Sequence, residues 1–152
     1  MANTQSMCTS FMGELMTATH NFTTGTGNTF KAALFLTSAT LNASTTAYST
    51  SGEVTGTNYS PGGVVITNGT SPTATNSSTT AGVAYWTPTA SFTYTNVTLS
   101  TAFDAVLVYN SSASNKAVSV HTFGSQTITA GTFALTMPSN TTSTALLRLA
   151  TT

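Results

Sequence analysis

The sequence AFDAVLVYN-SSASN-KAVSVHTFGSQTITAGTFALTMP, residues 102–138, decides the fold of this chain. In residues 102–110 both alternating faces are largely apolar, which is typical of a strand buried on both sides. The small polar residues 110–115 predict a turn, and the alternation in 117–121 and 133–137 predicts two further strands. The stretch is therefore predicted to form an antiparallel meander, whose apolar faces the rest of the chain must cover.

Shorter strand-like segments lie on both sides of this meander. Residues 29–37 are apolar on both faces apart from Lys31, residues 64–67 are mostly β-branched, and residues 91–95 alternate aromatic with polar side chains. Glycine, proline and asparagine cluster at 52–63 and predict turns. The count comes to about eight or nine short strands, so the predicted fold is all-β, a jelly roll or β-sandwich.

The N-terminal segment has a different periodicity. Four apolar residues recur at helical spacing, with two methionines beside them: Met7, Phe11, Leu15 and Ala18, with Met12 and Met16. This pattern predicts a helix of about three turns that ends before His20. We therefore expect an N-terminal helix within residues 1–22 and a single sandwich domain over 23–152. The apolar stripe of the helix suits packing on its own sandwich or docking on a neighbouring subunit.

The chain is almost uncharged: 4% of its 152 residues are Asp, Glu, Lys or Arg, three basic against three acidic, and the net charge is zero. In globular proteins the charged fraction is usually about a quarter. Without a basic surface there is no electrostatic basis for binding nucleic acid or an anionic membrane. A neutral surface also provides little repulsion between copies, so we expect the chain to associate and to function inside an assembly.

The sequence also bears on where the chain is made. A single cysteine, Cys8, excludes an internal disulfide framework, and we expect it to pack as a small apolar residue. The first residues, MANTQSMCTSFMG, lack the basic region and apolar run of a secretory signal. No segment approaches the roughly 18 apolar residues of a membrane span. We expect synthesis and folding in a reducing cytoplasm.

Side chains of catalytic type are few and scattered: Cys8, Glu14, His20, Glu53, Asp104 and His121. No local motif supports a Cys8–His20 pair or a serine with His121 and Asp104, and the histidine and cysteine spacing matches no metal template. Asp104, on a strand predicted to be in the core, is expected to pair with Lys116 or a backbone amide. The sequence predicts a protein that is not an enzyme and has no metal or cofactor.

One aromatic pair leaves a binding role open. Tyr85 and Trp86 lie in VAYWT, and Phe92 and Tyr94 follow in SFTYT. Exposed on one face, such rings form a platform on which a sugar can stack. Aromatic residues in alternating strands more often fill a core, because they bury so much apolar surface. Both interpretations stand at this level.

Several phrases of the sequence together resemble a family of small virion structural proteins of tailed bacteriophages. They are SFMGELMTATHNF at 10–22, FKAALFLTSATLNASTTAYSTSGEVTGTNYSPGG at 30–63, FDAVLVYN at 103–110, NKAVSVHTFGSQTITAGTFALTMP at 115–138 and ALLRLA at 145–150. The resemblance spans nearly the whole chain. The better understood proteins that it resembles are head decoration, or cement, proteins, which are β-sandwich or jelly-roll units on the capsid surface.

The resemblance implies a structural virion protein that decorates the capsid and cements it by bridging subunits of the major capsid (coat) protein, as a dimer or trimer. Uncovered strand edges, the N-terminal helix and the long loop 68–82 are candidate contact elements, with the candidate residues Met7, Phe11, Leu15, Pro72 and Asn76. The alternative is a tail or fibre-associated module that binds host-surface glycan through Tyr85, Trp86 and that loop. The family assigns no active-site residues, so none is expected here.

Overall fold

The computed structural model describes residues 2–75 and 82–151. In these two ranges the chain forms eight strands and one helix, in the order β1 (Ser6–Met7), α1 (Thr9–Met16), β2 (Phe30–Leu36), β3 (Val64–Val65), β4 (Thr73–Ala74), β5 (Val83–Trp86), β6 (Phe92–Asn110), β7 (Lys116–Leu135) and β8 (Leu147–Ala150). Strands therefore dominate, as the alternating patterns predict.

The strands form two antiparallel sheets. The larger sheet has the strand order β1-β7-β6-β2-β3, and the smaller sheet has the order β4-β5-β8. Side chains from both sheets and from α1 join one hydrophobic core, in which Phe30 of the larger sheet lies near Trp86 of the smaller one. This arrangement confirms the predicted all-β sandwich with a short N-terminal helix.

The hairpin of β6 and β7 is the centre of the larger sheet and corresponds to the stretch that the sequence singles out. The predicted polar turn joins the two strands, and Ser114 and Asn115 adopt positive φ angles there (51° and 58°). β6 is 19 residues long and β7 is 20, because segments predicted as separate short strands run on into one another. Register shifts between the two strands, with positive φ at Asn96 and Ala130, interrupt the alternation of apolar and polar residues. For this reason the sequence of each long strand has the pattern of two short strands.

The buried segments lie where their apolar patterns predict. In β2, Ala32, Ala33 and Leu34 have no exposed surface, because the strand lies between β6 and β3. The second half of β6, from Phe103 onward, is almost entirely buried, since β2 and β7 flank it on both edges. Strands with two neighbours and covered faces are the ones that read as continuous apolar runs.

The N-terminal segment differs from the prediction. Met7 does not begin a helix, because Ser6 and Met7 pair with β7 as a short strand at the edge of the larger sheet. The helix α1 is only eight residues long, and Ala18 lies beyond its end with a positive φ of 56°. The predicted N-terminal helix is therefore present, but its predicted length of three turns, from Met7 to Ala18, is wrong. α1 itself packs against β7 of its own sandwich, and its Phe11, 2% exposed, belongs to the hydrophobic core.

Candidate interaction site

An apolar pocket of about 100 Å³ lies between α1 and the smaller sheet. Its lining comes from α1, from β5 and β8, and from two loop positions: Phe11, Leu15, Phe22, Pro72, Ala84, Tyr85, Trp86, Leu147 and Leu149. The surface that these residues expose to the pocket is entirely apolar. The structure thus brings together candidates that the sequence assigned to two different sites, the contact residues of the helix and loop and the aromatic pair of β5.

Two of the interface candidates on α1, Phe11 and Leu15, line this pocket. Phe11 is buried in the core, where its ring contacts those of His20 and Phe22 at centroid distances of 4.9 and 6.0 Å. Leu15, one turn further along the helix, is half-buried. Of the helix candidates for an interface, Phe11 is therefore a core residue, and Leu15 remains accessible from the pocket.

The neighbouring methionines are more exposed than the residues that the sequence selected. Met12 is 47% exposed and Met16 is 86% exposed, and both lie beside Leu15 on the helix. Across the pocket, Leu149 on β8 is 41% exposed and Pro72 is also exposed. We refer to Met12, Leu15, Met16, Pro72 and Leu149 as the apolar patch. None of its members carries a charge or a hydrogen-bonding side chain, so it is suited to contact with another apolar surface.

Trp86 forms the floor of the pocket, and it is only 2% exposed. Its indole Nε1 donates hydrogen bonds to Asn68 Oδ1 and to the carbonyl oxygen of Thr70, each at 3.0 Å. Its ring packs against Phe22 at a centroid distance of 4.7 Å. Of the two interpretations that the sequence left open for Trp86, the core position is therefore the one observed, because the hydrophobic core covers the ring. Tyr85 is half-buried and lines the pocket.

Two remaining contact candidates lie elsewhere. Met7 is half-buried in β1 and lines a different groove, together with His121 and Arg148. Asn76 lies outside the described residues. Leu147 and Leu149 are pocket residues that were not among the candidates, although their alternation in the final strand is a signal visible in the sequence. Phe22 was missed because an isolated aromatic residue before a polar loop has no periodicity to place it.

Glu14 and His20 belong to one hydrogen-bonded cluster, together with Lys116 and Asn110. His20 Nε2 donates a hydrogen bond to Glu14 Oε2 at 2.7 Å, and Lys116 Nζ lies 2.6 Å from Glu14 Oε1. Asn110 Nδ2 donates to His20 Nδ1 at 3.1 Å. Burial alone raises the pKa of the Glu14 carboxyl, but the hydrogen bonds from Lys116 and His20 outweigh it and hold that pKa below its usual value. This cluster ties α1 to the start of β7.

The carboxylate of Glu53 is more deeply buried than that of Glu14, and the residue is 6% exposed. It accepts hydrogen bonds from the hydroxyls of Tyr48 at 2.6 Å and Tyr59 at 2.8 Å, and from the backbone N–H of Gly62 at 2.7 Å. Burial, together with the adjacent Glu53 charge, raises the pKa values of both tyrosines. With three donors around it, Glu53 holds the loop between β2 and β3 together.

Asp104 and His121 have different hydrogen-bond partners. Asp104 accepts a hydrogen bond from the side-chain amide of Asn3 (Nδ2) at 2.6 Å, rather than from the expected Lys116 or a backbone amide. His121 Nε2 lies 2.9 Å from Ser119 Oγ, and burial lowers the pKa of His121 to about 4. Burial, with a smaller contribution from the Glu14 charge, raises the pKa of the Cys8 thiol to about 11. A thiol with this pKa is mostly protonated at neutral pH and therefore a poor nucleophile.

Two features are absent from the described part of the chain: a metal-binding cluster and a membrane-spanning helix. In residues 2–75 and 82–151 no group of three or more His, Cys, Asp or Glu side chains is placed to hold a metal ion. No helix within those ranges has the length and apolar character needed to cross a membrane. Comparison with protein families, curated proteins and solved structures yields no match to this chain.

Proposed function

We propose that this chain is a structural protein of a tailed-phage virion, which decorates the capsid and cements it by bridging subunits of the major capsid protein. The apolar patch beside the pocket of α1, β5 and β8 is the observation that carries the proposal. The resemblance of the sequence to small virion proteins supplies the partner. The near absence of charge supports an assembled role, because such a surface has little electrostatic protection against association.

The patch has the composition of the central part of a protein–protein interface. Methionine and aromatic residues are enriched in such regions and charged residues are depleted. Met16 at 86% exposure is the most prominent member. Full burial of a methionine side chain contributes about 1.5–3 kcal/mol of apolar transfer free energy. A contact of this size is modest for a single copy, and it becomes effective when many copies bind one shell.

The mechanism of cementing is mass action. A protein that binds the assembled shell but not the dissociated coat subunits lowers the free energy of the shell relative to its parts. If each copy contacts two coat subunits, the second contact forms at a high effective concentration. Shells that carry the protein are therefore expected to resist heating better than shells that lack it.

The first experiment is quantitative mass spectrometry of purified particles, which gives the number of copies of this chain relative to the major capsid protein. Copy numbers comparable to that of the coat protein support a place on the shell lattice. A handful of copies per particle moves the chain to the tail or the portal vertex and contradicts the cement role. Absence from the particle contradicts the virion assignment altogether.

The patch itself is tested by adding variants to shells that lack the protein and measuring the temperature at which they burst. Met16→Lys should abolish the protection, because it places an unpaired charge in an apolar contact. The matched control is Val65→Lys, since Val65 is also exposed (60%) but lies on β3, at the opposite edge of the larger sheet from α1. Equal burst temperatures with Met16→Lys and the parent would exclude the patch as the binding surface.

The alternative function, glycan binding in a tail or fibre module, has less support. Its main residue, Trp86, is buried and both of its indole contacts are internal. Tyr85 alone remains partly accessible at the pocket. A glycan array on which the parent binds and Tyr85→Ala does not would restore this alternative.

A further inference from the structure

Among the described residues, the β6–β7 hairpin has one long strand edge without a neighbour. The first part of that edge is paired: Thr46 and Ala47 bond to β7 at residues 116–117, Cys8 bonds to Val118, and β1 pairs with Ser119 and Val120. Beyond Val120, no described residue pairs with that side of β7 as far as Leu135. Burial follows the same division: residues 117–120 are all buried, whereas no residue in 122–135 is. We call residues 122–135 of β7 the free edge.

The free edge lacks most of the features that usually keep such edges from pairing. Natural sheets protect an exposed edge with lysine, proline, a very short strand or a covering element. The free edge reads TFGSQTITAGTFAL and has neither a charged residue nor a proline. Register shifts against β6 and the positive φ of Ala130 divide it into two shorter runs but do not cover it.

The core-facing side chains of the free edge are incompletely covered. Ile128 lies opposite Leu99 and Phe133 lies opposite Tyr94, and the two β6 residues are buried. Residues opposite one another on adjacent strands share a face of the sheet, yet Ile128 and Phe133 are only half-buried. The difference arises because β6 is the only strand beside this part of β7 among the described residues.

We propose that the free edge pairs antiparallel with the same edge of a second copy of this chain, around a two-fold axis, so that the two larger sheets become continuous. Two features select a second copy. The edge is uncharged, so identical edges meet without electrostatic repulsion. Each copy also brings the same half-buried apolar row, which continues the row of the other, and a two-fold contact of this kind closes on itself as a dimer. The inference concerns the chain in solution and does not rest on the capsid role.

Sedimentation velocity of the purified chain over a wide range of concentrations tests the proposal. The edge variant is Thr127→Lys with Thr129→Lys, because both threonines are exposed and lysine is the residue that natural edges use against pairing. The matched control is Thr93→Lys with Thr95→Lys, which adds the same charge at exposed positions of β6. The parent and the control should dimerise, and the edge variant should dimerise at least about tenfold more weakly.

Hydrogen exchange gives a second measurement that does not depend on a variant. Amides of the free edge should become better protected as the concentration of the parent rises, because pairing hydrogen-bonds them. The fluorescence of Trp86, which is buried in the core, confirms that each variant is folded.

Three results overturn the proposal: a parent that stays monomeric at every concentration, an edge variant that dimerises as well as the parent, or association that Met16→Lys abolishes and the edge variant does not. The last result would place the contact on the apolar patch. Failure of the cement role in particles, with dimerisation through the free edge intact, would leave this inference standing.

Discussion

Replacement of Glu53 is the most informative perturbation of this fold. Its carboxylate is 6% exposed and accepts three hydrogen bonds, from Tyr48, Tyr59 and the Gly62 backbone. A hydrogen bond to a charged group contributes about 1.5–3 kcal/mol, and a buried donor left without a partner is itself costly. Glu53→Gln keeps the shape and one acceptor oxygen but turns an N–H group toward one of the donors. We expect it to lower the free energy of unfolding by about 2–4 kcal/mol.

The partners of Glu53 should differ in a defined order. Tyr48→Phe removes one donor and should cost about 1–2 kcal/mol. Tyr59→Phe should cost more, because the Tyr59 hydroxyl also accepts a hydrogen bond from the backbone N–H of Leu34 at 3.0 Å, which the substitution leaves without a partner. Tyr85→Phe is the matched control, since its hydroxyl makes no hydrogen bond with any described residue.

Urea denaturation followed by Trp86 fluorescence measures all four variants, and a double-mutant cycle between Glu53→Gln and Tyr48→Phe measures their coupling. We expect the losses to be less than additive, because both substitutions break the same contact. A Glu53→Gln protein within about 0.5 kcal/mol of the parent would refute the conclusion that this carboxylate holds the loop between β2 and β3 together.

Three further predictions follow from the described contacts. Stability should fall on acidification. The lowered pKa of Glu14 stabilises the fold at pH values above the pKa of this carboxyl in the unfolded chain, and that contribution is lost as the pH falls through the lower folded-state pKa. Neutral His121, with a pKa of about 4, opposes folding increasingly as the pH drops from about 6.5 toward 4. Denaturation midpoints measured from pH 8 to well below pH 4 test both effects, and His121→Gln should flatten the decline above pH 4. Cys8, with no exposed surface and a pKa of about 11, should react with a thiol reagent only at the rate of unfolding, so rapid labelling of the native protein would contradict its placement. Trp86→Ala should lower the free energy of unfolding by about 3–5 kcal/mol, because it leaves a cavity where the ring packs against Phe22. Urea denaturation followed by far-ultraviolet circular dichroism measures this loss. A loss below about 1 kcal/mol would show that the ring is not packed.

Local sequence patterns were sufficient to predict the elements whose buried residues follow a regular pattern along the chain. The continuous apolar runs of β2 and of the second half of β6, and the polar turn before Lys116, were all predictable. A strand that is covered on both faces of its sheet carries apolar side chains on both, and small polar residues favour a turn. The low charge was equally visible without a structure. These features predict the all-β sandwich that the structure shows.

Contacts between residues distant in the sequence decided the features that local patterns did not predict. Met7 matched a helical period, but the adjacent edge of β7 offered a strand partner, and pairing with that edge overrode the local preference. Leu15, Pro72 and Leu149 of the apolar patch all line one pocket, although Leu15 and Leu149 lie more than a hundred positions apart along the chain. Trp86, for which the sequence left both a surface and a core position open, is buried in the same way by residues distant in the sequence, Phe22 and Phe30. Periodicity reports how much of one segment is buried, whereas the partner that buries it is a property of the assembled fold.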